Sequence, residues 1–331
     1  MKKRYYNLSL YRLLAIFLVL QFHIFFICHT PDLGLWTLLS KGMQGLAVLS
    51  GFLLSQKVIT SVKDYYLSRA KKLLIPMVAV LIVILLWNIL YMLITRNYDF
   101  PSTFFGYTAS NHRFLIEFGN FYYIAYILVC YLIAPLLKKN KWWKYVFLGL
   151  ALIVEGLTCL FTNPLFIASA FLIGYIVGEL SFAKYTSLDS KPGLLRYILW
   201  PTLLVGFLAL SIYLFKLWWW TPEPLKLLVY NFSLSAFGVS TFFTLVVFTK
   251  FLNKFENNPF LDFTDKYTYY VFLFNQTFMC GAMDVSSYVD TFINKLLLVN
   301  SFVIVFSIIT FLATKYVIKG INCKKQLNAQ N

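Results

Sequence analysis

Arg12 and His23 are two ionisable side chains in an otherwise apolar run, eleven residues apart. On a helix, eleven steps of about 100° close to roughly 20° past three full turns, so both side chains share one face about 16 Å apart along the axis. Ionisable groups in a membrane segment are costly and face a bundle interior or a wet cavity, which makes a same-face arginine and histidine a functional-site hypothesis. An imidazole titrates near pH 6.5 and can take a proton from a hydroxyl as a general base, or serve as an acyl carrier. The pair alone leaves a second reading open: an arginine snorkelling to the interface and a neutral histidine bonded to a neighbouring helix.

The elements that must hold this pair are membrane helices. Hydrophobic residues make up 60% of the 331 and charged residues 13%, with a mean hydropathy of +0.71, which excludes a soluble domain with a hydrated surface. Apolar runs long enough to cross a hydrocarbon core recur along the whole chain. They predict an all-α fold, a polytopic transmembrane helix bundle of about ten spans near 10–28, 42–59, 73–95, 120–137, 145–161, 164–180, 195–215, 227–249, 268–283 and 295–315. We expect one domain over residues 1–331.

The net charge of +16 would suggest nucleic acid in a soluble protein; here the basic residues sit in short connections between spans, so no nucleic-acid partner is expected. With the N-terminus inside, only Lys41, Arg96, Arg113, Lys216, Lys226 and Lys295 fall on the outer face, and Arg12 falls in the first span. Lysine and arginine gather on the cytoplasmic side, so both termini are expected there, in a multi-pass protein of the plasma membrane. The five cysteines lie singly, without metal or disulfide spacing, and no metal is expected.

Further residues extend the pattern. Gly42-Met43-Gln44-Gly45 opens the second span, Ser50-Gly51-Phe52 continues it, and Ser68-Arg69-Ala70-Lys71-Lys72 precedes Pro76. Phe121-Tyr122-Tyr123 then leads to Tyr131 and Pro135. With Arg12 and His23, these residues resemble the acyltransferase-3 family, integral-membrane acyltransferases that modify bacterial cell-surface glycans and some secondary metabolites. The motifs lie within the first 137 residues, and the span plan carries the likeness over nearly the whole chain. Two positions depart from the family pattern. Lys72 stands where relatives often have arginine, and Asn275 where they commonly have histidine, which leaves only a hydrogen-bonding role there.

The resemblance implies an acyl-CoA donor, most often acetyl-CoA, and an acceptor hydroxyl on a cell-surface glycan or lipid-linked saccharide. Arg69, Lys71 and Lys72, with Arg12 nearby, are then expected to bind the donor phosphates by charge-assisted hydrogen bonds. The thioester would lie near His23. Glu155 is the clearest intramembrane carboxylate, and its readings stay open: pairing with His23, bonding in protonated form to an adjacent helix, or lining a water-filled vestibule. Gln21, Gln44, Asn88 and Asn275 are expected to make interhelical hydrogen bonds, and Ser50 to pack beside Gly51. Trp218-Trp219-Trp220 reads as an interfacial anchor, and His29 and His112 receive no chemistry. The main rival is a transporter or flippase for a polysaccharide precursor, since ten spans with buried polar groups also describe a solute path. The chain shows no matched pair of broken helices to support it.

Overall fold

The computed structural model describes residues 5–28, 36–96, 121–158, 166–190, 193–218, 224–255, 258–275, 277–279 and 283–328. The region 97–120, His29, Trp219, Trp220 and Gln276 lie outside these residues. The described chain is helical without a strand. In order its helices are α1 (Tyr6–Cys28), α2 (Trp36–Leu39), α3 (Gly42–Ser55), α4 (Val62–Thr95), α5 (Phe121–Lys139) and α6 (Trp143–Thr158). They continue with α7 (Ile167–Thr186), α8 (Leu194–Trp218), α9 (Pro224–Phe248), α10 (Pro259–Phe274) and α11 (Phe292–Asn328).

Every expected span contains helix, but at different lengths. Among the described residues six helical segments are long and apolar enough to cross a membrane: Tyr6–Phe25, Val62–Thr95, Ile167–Thr186, Leu194–Leu214, Leu225–Phe248 and Phe292–Lys319. By contrast α3 has 14 residues and α6 and α10 have 16 each. At 1.5 Å per residue these rise about 21–24 Å, short of a hydrocarbon core of about 30 Å. The third span also begins earlier than expected, because α4 is helical from Val62 and carries Arg69, Lys71 and Lys72 on the spanning helix itself. The ninth ends earlier, at Phe274, followed by turns.

Two compact units divide the chain. The first contains α1 to Phe22, α2, α3, α4 to Tyr66, α5 from Ala125, α6 to α9, and α10 to Asp262. The second contains α1 from His23, α4 from Leu67, the start of α5, α10 from Phe263, and α11.

The first unit is built on α3, whose residues are nearly all buried. A glycine seam explains how so short a helix is enclosed. A β-carbon placed at Gly51 would lie 1.9 Å from the Phe171 carbonyl oxygen of α7, and one at Gly174 would lie 2.1 Å from the Val48 oxygen. Backbone meets backbone there, as small residues allow between membrane helices. Gly174 and Gly178 are four apart on α7, and the β-carbon of the second would meet Ser55 Oγ at 2.3 Å. Below the seam, Phe52 stacks on Phe182 at 4.7 Å and meets Tyr185 and Phe242 edge-on.

Buried polar pairs fasten the helix ends of this unit. Asn7, fully buried, donates from Nδ2 to the carbonyls of Tyr185 (3.0 Å) and Val246 (3.1 Å) and accepts from Asn253 Nδ2 at 2.9 Å. Asn253 in turn donates to the Thr186 carbonyl. The amides thereby satisfy carbonyls at the C-terminal ends of α7 and α9, which have no intrahelical partners. Lys144 pairs with Glu179, and Lys138 donates to the Ser55 carbonyl while lying 5.2 Å over the Tyr175 ring. These lysines were expected to act only through topology.

The second unit packs α4, α10 and α11 through rings. Phe306 of α11 is met by Trp87 of α4 and Phe274 of α10, both at 6.2 Å, and Phe278 lies 5.0 Å from it. Tyr269 donates to the Leu73 carbonyl in the turn loosened by Pro76. In the first unit Tyr66 does the same for Leu132, three residues before Pro135. Each proline removes a helix bond, and a tyrosine from elsewhere in the same unit serves a carbonyl of the disturbed turn.

Candidate functional site

Helix α1 carries Arg12 and His23 without interruption. Tyr11, Ala15 and Val19, four residues apart and all buried, form the stripe that lies on α3. A β-carbon at Gly42 would stand 2.4 Å from the Ala15 oxygen and 3.0 Å from Val19 Cγ2, and one at Gly45 would stand 1.5 Å from the Tyr11 hydroxyl. The Gly42-Met43-Gln44-Gly45 segment is thus the seat on which α1 rests. Arg12 and His23 follow about 100–120° round the helix from Tyr11 and so share one face. Arg12 is half-buried and His23 is 4% exposed.

The unit boundary falls between Phe22 and His23, and it sorts the expected site residues. His23, Arg69, Lys71, Lys72, Asn88 and Asn275 fall in the second unit, while Arg12 and Glu155 fall in the first. On α4, Arg69 and Lys72 stand at i and i+3 and are neighbours on one face; Lys71 projects about 100° from Lys72 and 160° from Arg69. Arg69 is half-buried, and both lysines are exposed.

Glu155 bonds an adjacent helix. Its carboxylate accepts the backbone N–H of Ala168 at 2.8 Å and of Ser169 at 3.2 Å. These are orphan donors of the first turn of α7, whose preceding residue, Phe166, sits at a φ of 47° and offers no side-chain cap. A carboxylate there also meets the positive end of the helix dipole. Phe166 holds the left-handed conformation at a cost of about 1–2 kcal/mol, and its ring is buried.

The expected interhelical bonds of two amides are absent among the described residues. Asn88 donates to Ile84 on its own helix at 2.8 Å, and its Oδ1 has no partner. Asn275 is 1% exposed with neither amide atom bonded. Ser50 is half-buried beside Gly51, in keeping with a packing role.

Sequence reasoning missed Lys41. It was expected on the outer face, yet it is 8% exposed and lies against the middle of α9. The signal was present in the residues that follow it: glycines that allow close approach of backbones announce that the segment enters the bundle.

The comparisons bear on what this arrangement does. The family model described as an acyltransferase domain matches residues 5–316, which takes in Arg12, His23, the α3 glycines, the basic residues of α4 and Glu155. No curated protein and no solved structure matches the chain. With that match over nearly its whole length and apolar helices fit for a bilayer, the chain belongs to the acyltransferase-3 family and is a membrane acyltransferase.

Proposed function

We propose that the protein transfers an acyl group, most simply acetyl, from cytoplasmic acyl-CoA to a hydroxyl of a cell-surface or lipid-linked glycan at the plasma membrane. The observation that carries this reading is a histidine buried on an unbroken helix of a chain matched to an acyltransferase family over residues 5–316. A buried imidazole is a suitable general base for a sugar hydroxyl. His23 takes the hydroxyl proton as the oxygen attacks the thioester carbonyl. The carbon–sulfur bond then breaks, the acyl group leaves on the sugar oxygen, and His23 returns the proton to the departing thiolate.

The donor phosphates are held by Arg69 and Lys72, which share a face, with Lys71 contributing at longer range. Arg12, on the His23 face of α1 about three turns away, is assigned with them to the donor phosphates. Glu155 acts through structure, holding the first turn of α7.

The test compares surface glycans by mass analysis from cells with the wild-type chain, His23→Ala, and a deletion. The variant is expected to match the deletion in lacking one acyl substituent while inserting at wild-type level. An unchanged acylation pattern would overturn the assignment.

A further inference from the structure

We infer that the ammonium of Lys41 is a binding position for a phosphate-type oxyanion, carried by a substrate into the interior of the first unit. The placement is unusual for a lysine. Leu38 packs against the cluster of Leu214, Tyr230 and Leu234, and further along α9 Gly238 abuts Lys41. A β-carbon on Gly238 would stand 2.8 Å from the Lys41 carbonyl oxygen and 3.2 Å from its Cβ. Gly238 lies near the middle of the 24-residue apolar segment Leu225–Phe248, so the Lys41 backbone lies level with the middle of a helix long and apolar enough to cross a membrane.

Among the described residues of the unit, no acidic side chain pairs with it. Lys41 is 8% exposed; its backbone N–H donates to the Leu38 carbonyl, and its side chain forms no ion pair with an acidic group among the described residues. The described acidic side chains of this unit are engaged or remote. Glu155 caps α7, Glu179 holds Lys144, Asp262 meets the Tyr6 hydroxyl, Asp189 acts on Lys250, and Asp64 is exposed at the start of α4. A buried cation without a partner costs several kcal/mol, and within membranes such residues mark substrate paths. An ammonium has three donors and no acceptor, so the group that completes it is an acceptor, and an anion compensates its charge as well. The surroundings are polar: Gln44 follows on α3, and Ser235 and Asn231 lie one and two turns from Gly238 on the same face of α9, all buried.

The choice of phosphate rests on the proposed reading, in which an acyl-CoA donor and a lipid-linked acceptor both carry phosphates. The experiment separates the two sources. The full chain is purified in detergent as wild type, Lys41→Met, Lys41→Gln and Lys41→Arg. Thermal unfolding is then followed alone and with coenzyme A, inorganic pyrophosphate, or a polyprenyl phosphate in mixed micelles.

At least one phosphate ligand is expected to raise the wild-type and Lys41→Arg midpoints by several degrees and to leave Lys41→Met and Lys41→Gln unmoved. Loss of the polyprenyl phosphate response with the coenzyme A response kept is expected and assigns the position to the acceptor, since Arg69 and Lys72 hold the donor phosphates; loss of the coenzyme A response would assign it to the donor and count against that role of Arg69 and Lys72. Without ligand, the neutral variants are expected to match or exceed the wild-type midpoint, since they remove an uncompensated buried charge. The inference is overturned if the neutral variants respond to every ligand as the wild type does, if the wild type responds to none, or if both neutral variants fail to fold. Absence of acyl transfer by a wild-type chain that still responds would count against the enzymatic reading alone.

Discussion

Substituting Gly51 by alanine tests whether the helix carrying the Ser-Gly-Phe segment is fixed by backbone contact. The added carbon would lie 1.9 Å from the Phe171 oxygen and 2.9 Å from the Tyr175 nitrogen, where ordinary contact begins at 3.4 Å. The two helices must therefore separate by about 1.5 Å, and a radial gap of even 1 Å forfeits up to about half of each dispersion contact across the seam. Relief by sliding away from α7 is closed. Gly42 lies nine residues earlier, which is about 180° round the helix, and it is already seated on the Ala15 carbonyl of α1. Overpacking of this kind costs about 1–3 kcal/mol and occasionally more, and with both sides of α3 blocked we expect about 3 kcal/mol, or roughly a 150-fold loss in the folding equilibrium.

Thermal unfolding in detergent, read by size-exclusion of a fluorescent fusion, gives the effect directly. Gly149→Ala is the control, because its β-carbon would have no heavy atom within 4 Å. A Gly51→Ala protein as stable as that control would refute the close-packed seam and the account of why the motif contains glycine.

Two further outcomes follow from the helix geometry. Arg69→Ala and Lys72→Ala should each raise the KM for acyl-CoA about tenfold or more, the worth of a charge-assisted hydrogen bond, while Lys71→Ala, facing elsewhere on α4, should change it less than threefold. Equal effects at all three positions would contradict the shared-face assignment. Glu155→Ala should lower the unfolding midpoint by stranding the Ala168 and Ser169 amides, each at about 1–3 kcal/mol, with Glu155→Gln losing roughly half as much. A Glu155→Ala protein of wild-type stability but without turnover would instead make this carboxylate catalytic.

The helical, membrane-embedded character of the chain was legible because hydropathy and length act residue by residue. Helix one was legible for the same reason: Arg12 and His23 interrupt an apolar run at a spacing that returns to one face. The short helices were not. A run such as 42–59 meets the same hydropathy test as a full span, and only the close approach of α1 at Gly42, of α7 at Gly51, and of α9 through Gly238 to Lys41 and Gln44 reveals that α3 is enclosed by protein. Glu155 was visible as a costly charge, but its partner is a backbone amide thirteen residues on, which no side-chain pattern announces. Asn7 and Asn253 were invisible in the same way, since their acceptors are carbonyls that every sequence has.

The brevity of α3 has a consequence for how the protein is made. Fourteen residues reach about 21 Å, too little to stand alone in a bilayer, and the surfaces that shelter this helix are encoded more than a hundred residues downstream, in α7 and α9. While the ribosome is still translating α4 to α6, α3 lacks the neighbours that give it a stable place. Its final seating waits for Gly174, Gly178 and Gly238 to emerge from the translocation machinery. A nascent chain halted before α9 should remain a substrate for membrane quality control, and the bed on which helix one settles is assembled late, from the far half of the polypeptide.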